Sequence, residues 1–333
     1  MHNFRLFGIP LGYCLLAICA LSSSFSLRAQ ELSLRTTTNV VLVPTLVMDR
    51  LGHPVYDLKA EDFVVQDNGV EQNIRMDESF SLDPVSLVVV IDTGQGAATS
   101  FDRLSKFGVM IEPIVGDGKG EVAVVTFDSG VKLVHDFTPN TDAVKDYFKS
   151  LKPGDSGAAI LDAIHYSIHM LEQRPKNNRR VLLLISEAKD HGSTRGVEDI
   201  LREVEMSNTL IYSSVFSPVM SSLLSKADPP TRNTGNLLAL FKVFSAIAEA
   251  AKENVPETVA RLSGGEYLPF ATERGFEDRL IDMGNHVHNL YLLSFQPKNL
   301  KTGQHSIRVL VPNGADLVVY SRSGYWAAPT KQP

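Results

Sequence analysis

Short apolar runs recur through the middle of the chain and alternate with longer stretches of mixed polarity. Four of these runs show no polar alternation, and they cover residues 87–91, 122–127, 181–185 and 209–216. A continuous apolar run of this length is typical of a strand buried on both faces of a parallel sheet. Segments with helical periodicity separate the runs, at residues 99–115, 141–150, 158–173 and 196–207. The pattern predicts a doubly wound α/β fold with a mostly parallel sheet.

Strand-like segments flank this core on both sides. Residues 38–48 are rich in β-branched positions, and a further strand leads to the hairpin signal Asn68-Gly69. We predict that residues 72–76 pair with the strand before that turn, and that Pro44 places its own strand at a sheet edge or a bulge. Further strands are predicted at residues 290–295, 305–311 and 317–320. The two flanking segments could form one module into which the core is inserted.

The second half of the core contains an insertion. Residues 217–234 are rich in Ser, Pro, Thr and Asn, which indicates an exposed loop. Residues 236–254 then repeat apolar side chains at helical intervals. We predict that this helix packs across the sheet or on a neighbouring helix, and the alternative is a helix that binds a partner or a membrane surface.

The first 29 residues have the pattern of an export signal. A basic start precedes an apolar run over residues 6–21, and Leu27-Arg28-Ala29 resembles a cleavage site. The run is short and is interrupted by Pro10 and Gly12, so we favour a cleaved signal over the alternative of a permanent membrane span. Both cysteines, Cys14 and Cys19, lie in this segment, so the mature chain has no disulfide, thiolate zinc site or cysteine nucleophile. We expect a secreted or periplasmic protein with no membrane span after signal cleavage.

Composition and net charge limit the classes of protein to which the chain can belong. The chain has 333 residues, of which 44% are hydrophobic and 21% charged, as in ordinary globular proteins. Its formal net charge of −6 gives no overall positive field, so we expect no nucleic-acid partner.

The domain boundaries that we predict are a signal peptide at 1–29, a β module at 30–82, an α/β domain at 83–289 with the inserted loop and helix 217–254, and a β segment at 290–333.

Candidate chemistry lies where the first core strand ends. In an open parallel sheet, ligands bind at the carboxyl ends of the strands, near the point where the strand order reverses. The sequence there is Asp92-Thr93-Gly94-Gln95-Gly96. We expect two further loops to reach the same face, and their candidate residues are Asp155, Ser156, Ala158, Glu187 and Asp190.

Several motifs in order resemble those of a known family. Residues 92–96 resemble an Asp-x-Ser-x-Ser opening, and residues 157–164 resemble a Gly-Thr-Ala-Leu-Tyr-Asp-Ala-Ile helix start. Residues 183–187 resemble a Leu-Leu-Ile-Ser-Asp strand end. Together they are similar to the von Willebrand factor type A domain. Residues 58–63 and the ending at residues 291–297 and 324–326 look like exported bacterial proteins with such a domain, best known from acidobacteria.

The resemblance implies a site for a divalent cation, usually magnesium, which five side chains from three loops hold in the family. Asp92 matches the first position, and Glu187 replaces an aspartate. Gly94 and Gly96 stand where the family has serines, and Ala158 stands where it has a threonine. Because three of the five positions carry no ligand oxygen, we expect a degenerate adhesion site that holds no metal in the usual way, and no cofactor.

The alternative is a magnesium site in which three other residues replace the missing ligands. Thr93, Asp155 and Ser156 lie close in sequence to the positions without oxygens, and they would restore a weak magnesium site.

By resemblance, we expect a non-catalytic module that binds a protein partner, in adhesion or assembly. The rival hypotheses are a structural envelope component and an exported hydrolase. We predict no catalytic residue. The expected partner-binding residues are Asp92, Thr93, Gly94, Gln95, Gly96, Asp155, Ser156, Ala158, Glu187 and Asp190.

Other groupings are better explained without function. His165 and His169 stand four residues apart on a predicted helix, but the residues between them lack the glutamate of a zinc-protease helix. We favour solvent-facing or partly packed histidines. Ser213, Asp190 and His191 form a triad on paper, although no Gly-x-Ser-x-Gly elbow is present. The basic residues 176–180 are interpreted as a solvated loop.

Overall fold

The computed structural model describes residues 40–97, 104, 107–116, 118–215, 237–299, 301–314 and 316–328. The predicted export signal and the predicted loop at residues 217–234 lie outside these residues. The described strands are β1 (Val41–Met48), β2 (Val64–Asp67), β3 (Val70–Glu71), β4 (Ile74–Asp77), β5 (Val85–Asp92), β6 (Glu121–Phe127), β7 (Val131–Thr138), β8 (Arg179–Ser186), β9 (Thr209–Val215), β10 (Tyr291–Phe295), β11 (Gly303–Leu310), β12 (Val318–Ser321) and β13 (Gly324–Ala327).

Helices fill most of the intervals between the strands. Short 3₁₀ turns occur at Ala60–Asp62, Phe80–Leu82 and Phe107–Met110. The described α-helices are α1 (Ile111–Val115), α2 (Asp142–Phe148), α3 (Ile160–Glu172), α4 (Val197–Met206), α5 (Leu237–Glu253), α6 (Val255–Ser263) and α7 (Glu273–His288). In the part of the chain that the structure describes, no helix has the length and apolar character needed to cross a membrane.

A five-stranded sheet with the order β7-β6-β5-β8-β9 forms the centre of the fold. Strand β5 pairs in parallel with β6 and β8, and β8 pairs in parallel with β9. The four strands predicted from apolar runs are therefore the parallel strands, which confirms the predicted α/β fold. Strand β7 was not predicted. It pairs antiparallel with β6 at the edge of the sheet and is only half-buried, so it lacks a continuous apolar run.

Helices cover both faces of this sheet. On one face, Val88 and Val90 of β5 pack in a buried cluster with Ile164 of α3 and residues of α4, α5 and α6. On the other face, Leu87 and Val89 pack with residues of α1, α2 and α7. Every residue of β5 is buried. The double cover explains why these strands read as uninterrupted apolar runs.

The N- and C-terminal strands are interleaved in two further sheets. One has the order β12-β1-β10-β4, and the other has the order β13-β11-β2-β3. Val43 and Leu293 of the first sheet share a buried cluster with Val65 and Val309 of the second. Residues from both ends of the chain thus enclose one small apolar core.

Two expectations for these strands were wrong. The Asn68-Gly69 turn forms as predicted, with both residues at positive φ, but β2 pairs across it with β3. Of the predicted partner segment 72–76, the first residue takes part, because the Gln72 N–H donates to the Val65 carbonyl at 2.9 Å. Strand β4 instead joins the other sheet beside β10. Pro44 lies in an internal strand, not an edge strand. At Pro44 itself only β10 pairs with β1, because the pairing with β12 begins at Thr45.

The basic segment before β8 is not wholly solvated. Arg179 is buried, and its guanidinium donates to the carbonyl oxygens of Asp83 at 2.9 Å and Val287 at 2.6 Å. Burial lowers the pKa of Arg179, and the charge of Asp83 opposes that shift. The side chain therefore joins the start of the α/β core to its end.

The double-sided burial of the sheet predicts a large cost for truncating a central strand. Leu183 of β8 is fully buried, so Leu183→Ala is expected to lower the free energy of unfolding by about 2–5 kcal/mol. Leu51 is 81% exposed, so Leu51→Ala is expected to change it by less than about 0.5 kcal/mol. Urea unfolding of both variants measures the difference. Equal effects of the two substitutions would contradict the described core.

Candidate functional site

The loops after β5, β6 and β8 meet at the carboxyl end of the sheet. The chain leaves β5 toward β6 and leaves β8 toward β9, so the strand order reverses between β5 and β8. Ligands of open α/β sheets bind at this kind of crevice. These loops, at residues 92–97, 128–130 and 187–193, form one face with residues 154–158, which lie between α2 and α3. This face is called the candidate face below.

Asp92 joins two of these loops. It is the last residue of β5 and is 2% exposed. Its Oδ1 accepts a hydrogen bond from the Gly94 backbone N–H at 2.8 Å, and its Oδ2 accepts one from the Glu187 N–H at 3.3 Å. The carboxylate therefore bridges the loops that follow β5 and β8.

The environment of Asp92 disfavours its charged form. Burial is the main cause that raises the pKa of Asp92 to about 6, and the negative charge of Glu187 contributes to the same shift. The backbone hydrogen bonds from Gly94 and Glu187 and the nearby His191 oppose the shift. A carboxyl group with this pKa exchanges its proton near neutral pH.

The two glycines after Asp92 differ in the space around them. A Cβ built on Gly94 would lie 2.5 Å from the Gly157 carbonyl oxygen, which no ordinary contact permits. A Cβ on Gly96 would lie 3.5 Å from both carboxylate oxygens of Glu187, an ordinary van der Waals distance. A serine thus fits at Gly96 but not at Gly94 unless the backbone moves.

Asp155 organises the neighbouring loops. Its Oδ1 accepts hydrogen bonds from the backbone N–H groups of Ser129 at 3.0 Å and Gly157 at 2.8 Å. Its Oδ2 accepts from the Ser129 hydroxyl, and this hydrogen bond lowers the pKa of Asp155. The Gln95 N–H donates to the Asp155 carbonyl at 2.9 Å. Asp155 therefore connects the loops that follow β5 and β6.

Thr93 and Asp190 also have structural partners. The Thr93 hydroxyl donates to the Phe127 carbonyl at 2.9 Å, so it is directed toward β6. Asp190 Oδ1 accepts from the Leu161 N–H at 3.1 Å and from the Ser193 hydroxyl at 2.5 Å. Asp190 thus satisfies a free N–H of the first turn of α3, as a capping side chain does.

Ala158 lies beneath the candidate face. It is fully buried, and it pairs through its backbone with His191 in an isolated antiparallel bridge. The structure thus brings all ten predicted residues to the loops of the face, where Ala158 is buried beneath the surface and Asp190 is turned toward α3.

Exposed side chains above this framework are polar. Gln95, Ser156 and Lys189 are exposed, and the Lys189 ammonium contacts the Glu253 carboxylate at 2.7 Å. His191 is half exposed, and its Nε2 lies 3.3 Å from Glu187 Oε1. Ser129 is a residue of this face that was not predicted. It lies just after the apolar run of β6, and the loop after that strand is expected at the same end of the sheet.

Ser213, Asp190 and His191, which the sequence allowed as a catalytic triad, each contact a different partner. The buried Ser213 hydroxyl donates to the Pro256 carbonyl at 2.7 Å, and Asp190 caps α3. His191 pairs with Glu187. No serine–histidine–aspartate relay is formed by these side chains.

Comparison with known proteins agrees with the fold. Residues 87–189 match the family model of the von Willebrand factor type A domain. No curated protein matches the chain. The matched segment begins in β5 and ends in the loop after β8, so it contains most of the candidate face.

Solved structures with a similar arrangement come from several sources. An aerotolerance-related membrane protein from Bacteroides fragilis is 15% identical, with 60% of this chain and 98% of that chain covered and a TM-score of 0.41. The PilB minor pilin from Streptococcus sanguinis is 12% identical, with 62% of each chain covered and a TM-score of 0.43. Proximal thread matrix protein 1 from the mussel byssus is 12% identical, with 68% and 51% covered and a TM-score of 0.44.

The five positions that the resemblance assigns to metal ligands can be compared with the residues present at the candidate face. Two of the five positions carry a carboxylate, Asp92 and Glu187, and the other three are Gly94, Gly96 and Ala158. Of the alternative ligands, Thr93 and Asp155 are engaged in the hydrogen bonds described above. The backbone also leaves no room for a side chain at Gly94.

The raised pKa of Asp92 predicts a pH-dependent contribution to stability. An unfolded aspartate titrates near about 3.9, whereas Asp92 titrates at about 6 in the fold. Its contribution is therefore fully present below the unfolded pKa and is lost as the pH rises to about 6. Asp92→Asn should gain on the wild type by up to about 3 kcal/mol in unfolding free energy between pH 4 and 6.

Urea unfolding at several pH values tests this expectation. Asp155→Asn is the matched control, because the pKa of Asp155 is lowered and its contribution has the opposite sign. That contribution is present above the unfolded pKa and is lost as the pH falls. Parallel pH profiles of wild type and Asp92→Asn would show that the Asp92 carboxyl is not held as described.

Proposed function

We propose that this chain is an exported, non-catalytic module that binds a protein partner through the candidate face, in adhesion or assembly. The observation that carries the proposal is the hydrogen bonding of the three loops by Asp92 and Asp155, which holds exposed polar groups on a rigid sheet. Binding residues are disproportionately placed on such loops over rigid scaffolds. The match of residues 87–189 to the von Willebrand factor type A domain supports the same role.

Recognition would use shape and hydrogen bonding at this face. Gln95 and Ser156 offer neutral polar groups, and Lys189 and His191 offer positive or titratable groups beside the Glu187 carboxylate. The loop after β8 is held from behind, because the Val255 N–H donates to the Ala188 carbonyl at 2.9 Å. A preorganised surface loses little conformational entropy when a partner docks.

The proposed binding does not involve a divalent cation held in the manner of the family. Support comes from the missing oxygens at three of the five positions and from the engagement of Thr93 and Asp155 within the protein. In our proposal the backbone N–H groups that converge on Asp92 and Asp155 stabilise the loops in place of a metal ion.

The proposed location is the periplasm or the exterior of the cell, as in the acidobacterial proteins that the chain resembles. The signal-like residues 1–29 support it, as does the absence of cysteine from the remaining sequence. The outer polar residues of the candidate face would then meet partners of the cell envelope.

Magnesium titration tests the metal part of the proposal. The purified chain is expected to give no saturable heat of Mg²⁺ binding in calorimetry and no change in unfolding temperature, because three ligand oxygens are missing. A von Willebrand type A domain with all five ligands serves as the positive control. Saturable binding that Asp92→Asn abolishes would contradict the proposal.

Partner capture tests the binding part. The immobilised chain is exposed to an envelope extract, and bound proteins are quantified by mass spectrometry. Gln95→Arg places a long charged side chain on the candidate face and should reduce specific capture by about tenfold or more. Gln173 is equally exposed but follows α3 at the opposite end of the sheet, so Gln173→Arg should leave capture within about twofold.

Two outcomes would oppose this assignment. Equal capture by wild type and Gln95→Arg would exclude the candidate face as the binding surface. Loss of capture on addition of a chelator that Mg²⁺ restores would show that a metal ion takes part in recognition at the candidate face.

A further inference from the structure

Two helices bring three metal-binding side chains together at a distance from the candidate face. His165 and His169 lie on α3, and Glu203 lies on α4. One ligand atom from each residue lies within 4.8 Å of the other two. We propose that His165, His169 and Glu203 form a Zn²⁺ site that joins α3 to α4.

The distances suit a small tetrahedral ion. His165 Nδ1 lies 2.8 Å from Oε2 and 3.0 Å from Oε1 of Glu203, and His169 Nε2 lies 3.9 Å from Oε1. Ligands bound to tetrahedral zinc at 2.0–2.2 Å are separated by roughly 3.4 Å. The observed distances lie on both sides of that value. The His169 side chain is 55% exposed, so its ring has room to adjust.

A second carboxylate holds one of the ligands in the required orientation. His169 Nδ1 lies 3.3 Å from Glu172 Oε2, on the same helix. A proton on Nδ1 that is donated to Glu172 leaves the lone pair on Nε2, the nitrogen that faces Glu203. Zinc-bound histidines commonly donate their other N–H to a carboxylate in this way. Glu172 is thus a positioning residue of the site.

The donor types favour zinc over the alkaline-earth ions. Two imidazoles and one carboxylate are typical zinc ligands, whereas Mg²⁺ and Ca²⁺ prefer oxygen ligands alone. The His165 and Glu203 side chains are 21% and 23% exposed, so the site opens to solvent. Three protein ligands leave one tetrahedral position for water or for a side chain of another molecule.

The site is independent of the proposed function. Asp92 and Glu187 of the candidate face take no part in it. The two features share α3, since this helix begins under the face, where Asp190 accepts from the Leu161 N–H. Zinc bound between α3 and α4 would stiffen the support of the face without contacting a partner there.

Competition with a chromogenic zinc chelator tests the proposal on the purified metal-free chain. We expect one Zn²⁺ per chain and an unfolding temperature that rises with zinc. His169→Gln and Glu203→Gln should each weaken binding at least tenfold and remove the thermal shift. Glu172→Gln should weaken binding by about tenfold while the stoichiometry stays at one, because only the outer partner is lost.

Two matched histidine variants serve as controls. His191→Gln removes the imidazole beside Glu187 on the candidate face, and His135→Gln removes one on β7. Both should bind zinc as the wild type does. Circular dichroism confirms that each variant is folded. Zinc binding that survives His169→Gln would overturn the proposal and would leave the proposed function untouched. Loss of zinc binding in His191→Gln would also overturn it, and would instead place a metal ion beside Glu187 on the candidate face.

Discussion

The burial of β5 on both faces is the constraint on which the rest of the structure depends. Leu87 and Val89 pack under one layer of helices, and Val88 and Val90 pack under the other. The strand places Asp92, its last residue, at the edge of this apolar core, where Asp92 is 2% exposed. A charge at that point loses hydration, which is why burial is the main cause of its pKa of about 6. The chemistry of the candidate face therefore follows from the packing beneath it.

The loops of that face are held by carboxylates that accept hydrogen bonds, which reverses the charges of a cation site. In a magnesium site, oxygen atoms from several loops converge on a positive ion. Here backbone N–H groups converge on two carboxylates, from Gly94 and Glu187 onto Asp92 and from Ser129 and Gly157 onto Asp155. Hydrogen bonds to a charged acceptor are among the stronger ones in proteins, so they are suited to connect loops without a ligand. The Gly94 backbone also lies close to the Gly157 carbonyl, so these two loops are packed directly against each other.

The hydrophobic pattern of the sequence was sufficient to predict the elements that are surrounded by apolar side chains on both faces. The parallel strands were predictable because both faces are apolar, and the face residues were predictable because parallel strands end together. What failed depends on distant partners. Strand β4 pairs with β10, which is more than two hundred residues away, so the nearer hairpin partner was the wrong choice. The spacing of His165 and His169 was visible, but Glu203 joins them only because α4 packs beside α3. Ser129 was missed because its place after the β6 run marks the loop, whereas its contact with Asp155 depends on a residue 26 positions away.

The two ends of the parallel sheet differ in how they are held together. The core begins after Asp83 and ends near Val287, and the buried Arg179 guanidinium donates to the carbonyl oxygens of both residues. Arg179 is the first residue of β8, so this connection lies at the amino end of the strands. Leu42 and Arg322 of the terminal segments line one cavity with Arg179 and with Thr209, the first residue of β9, so the terminal strands cover part of that end. The loop before β8 stays exposed at Gln173 and at residues 175–177. What distinguishes the carboxyl end is therefore the convergence of its loops on Asp92 and Asp155, because the hydrogen bonds there hold polar groups in a fixed arrangement.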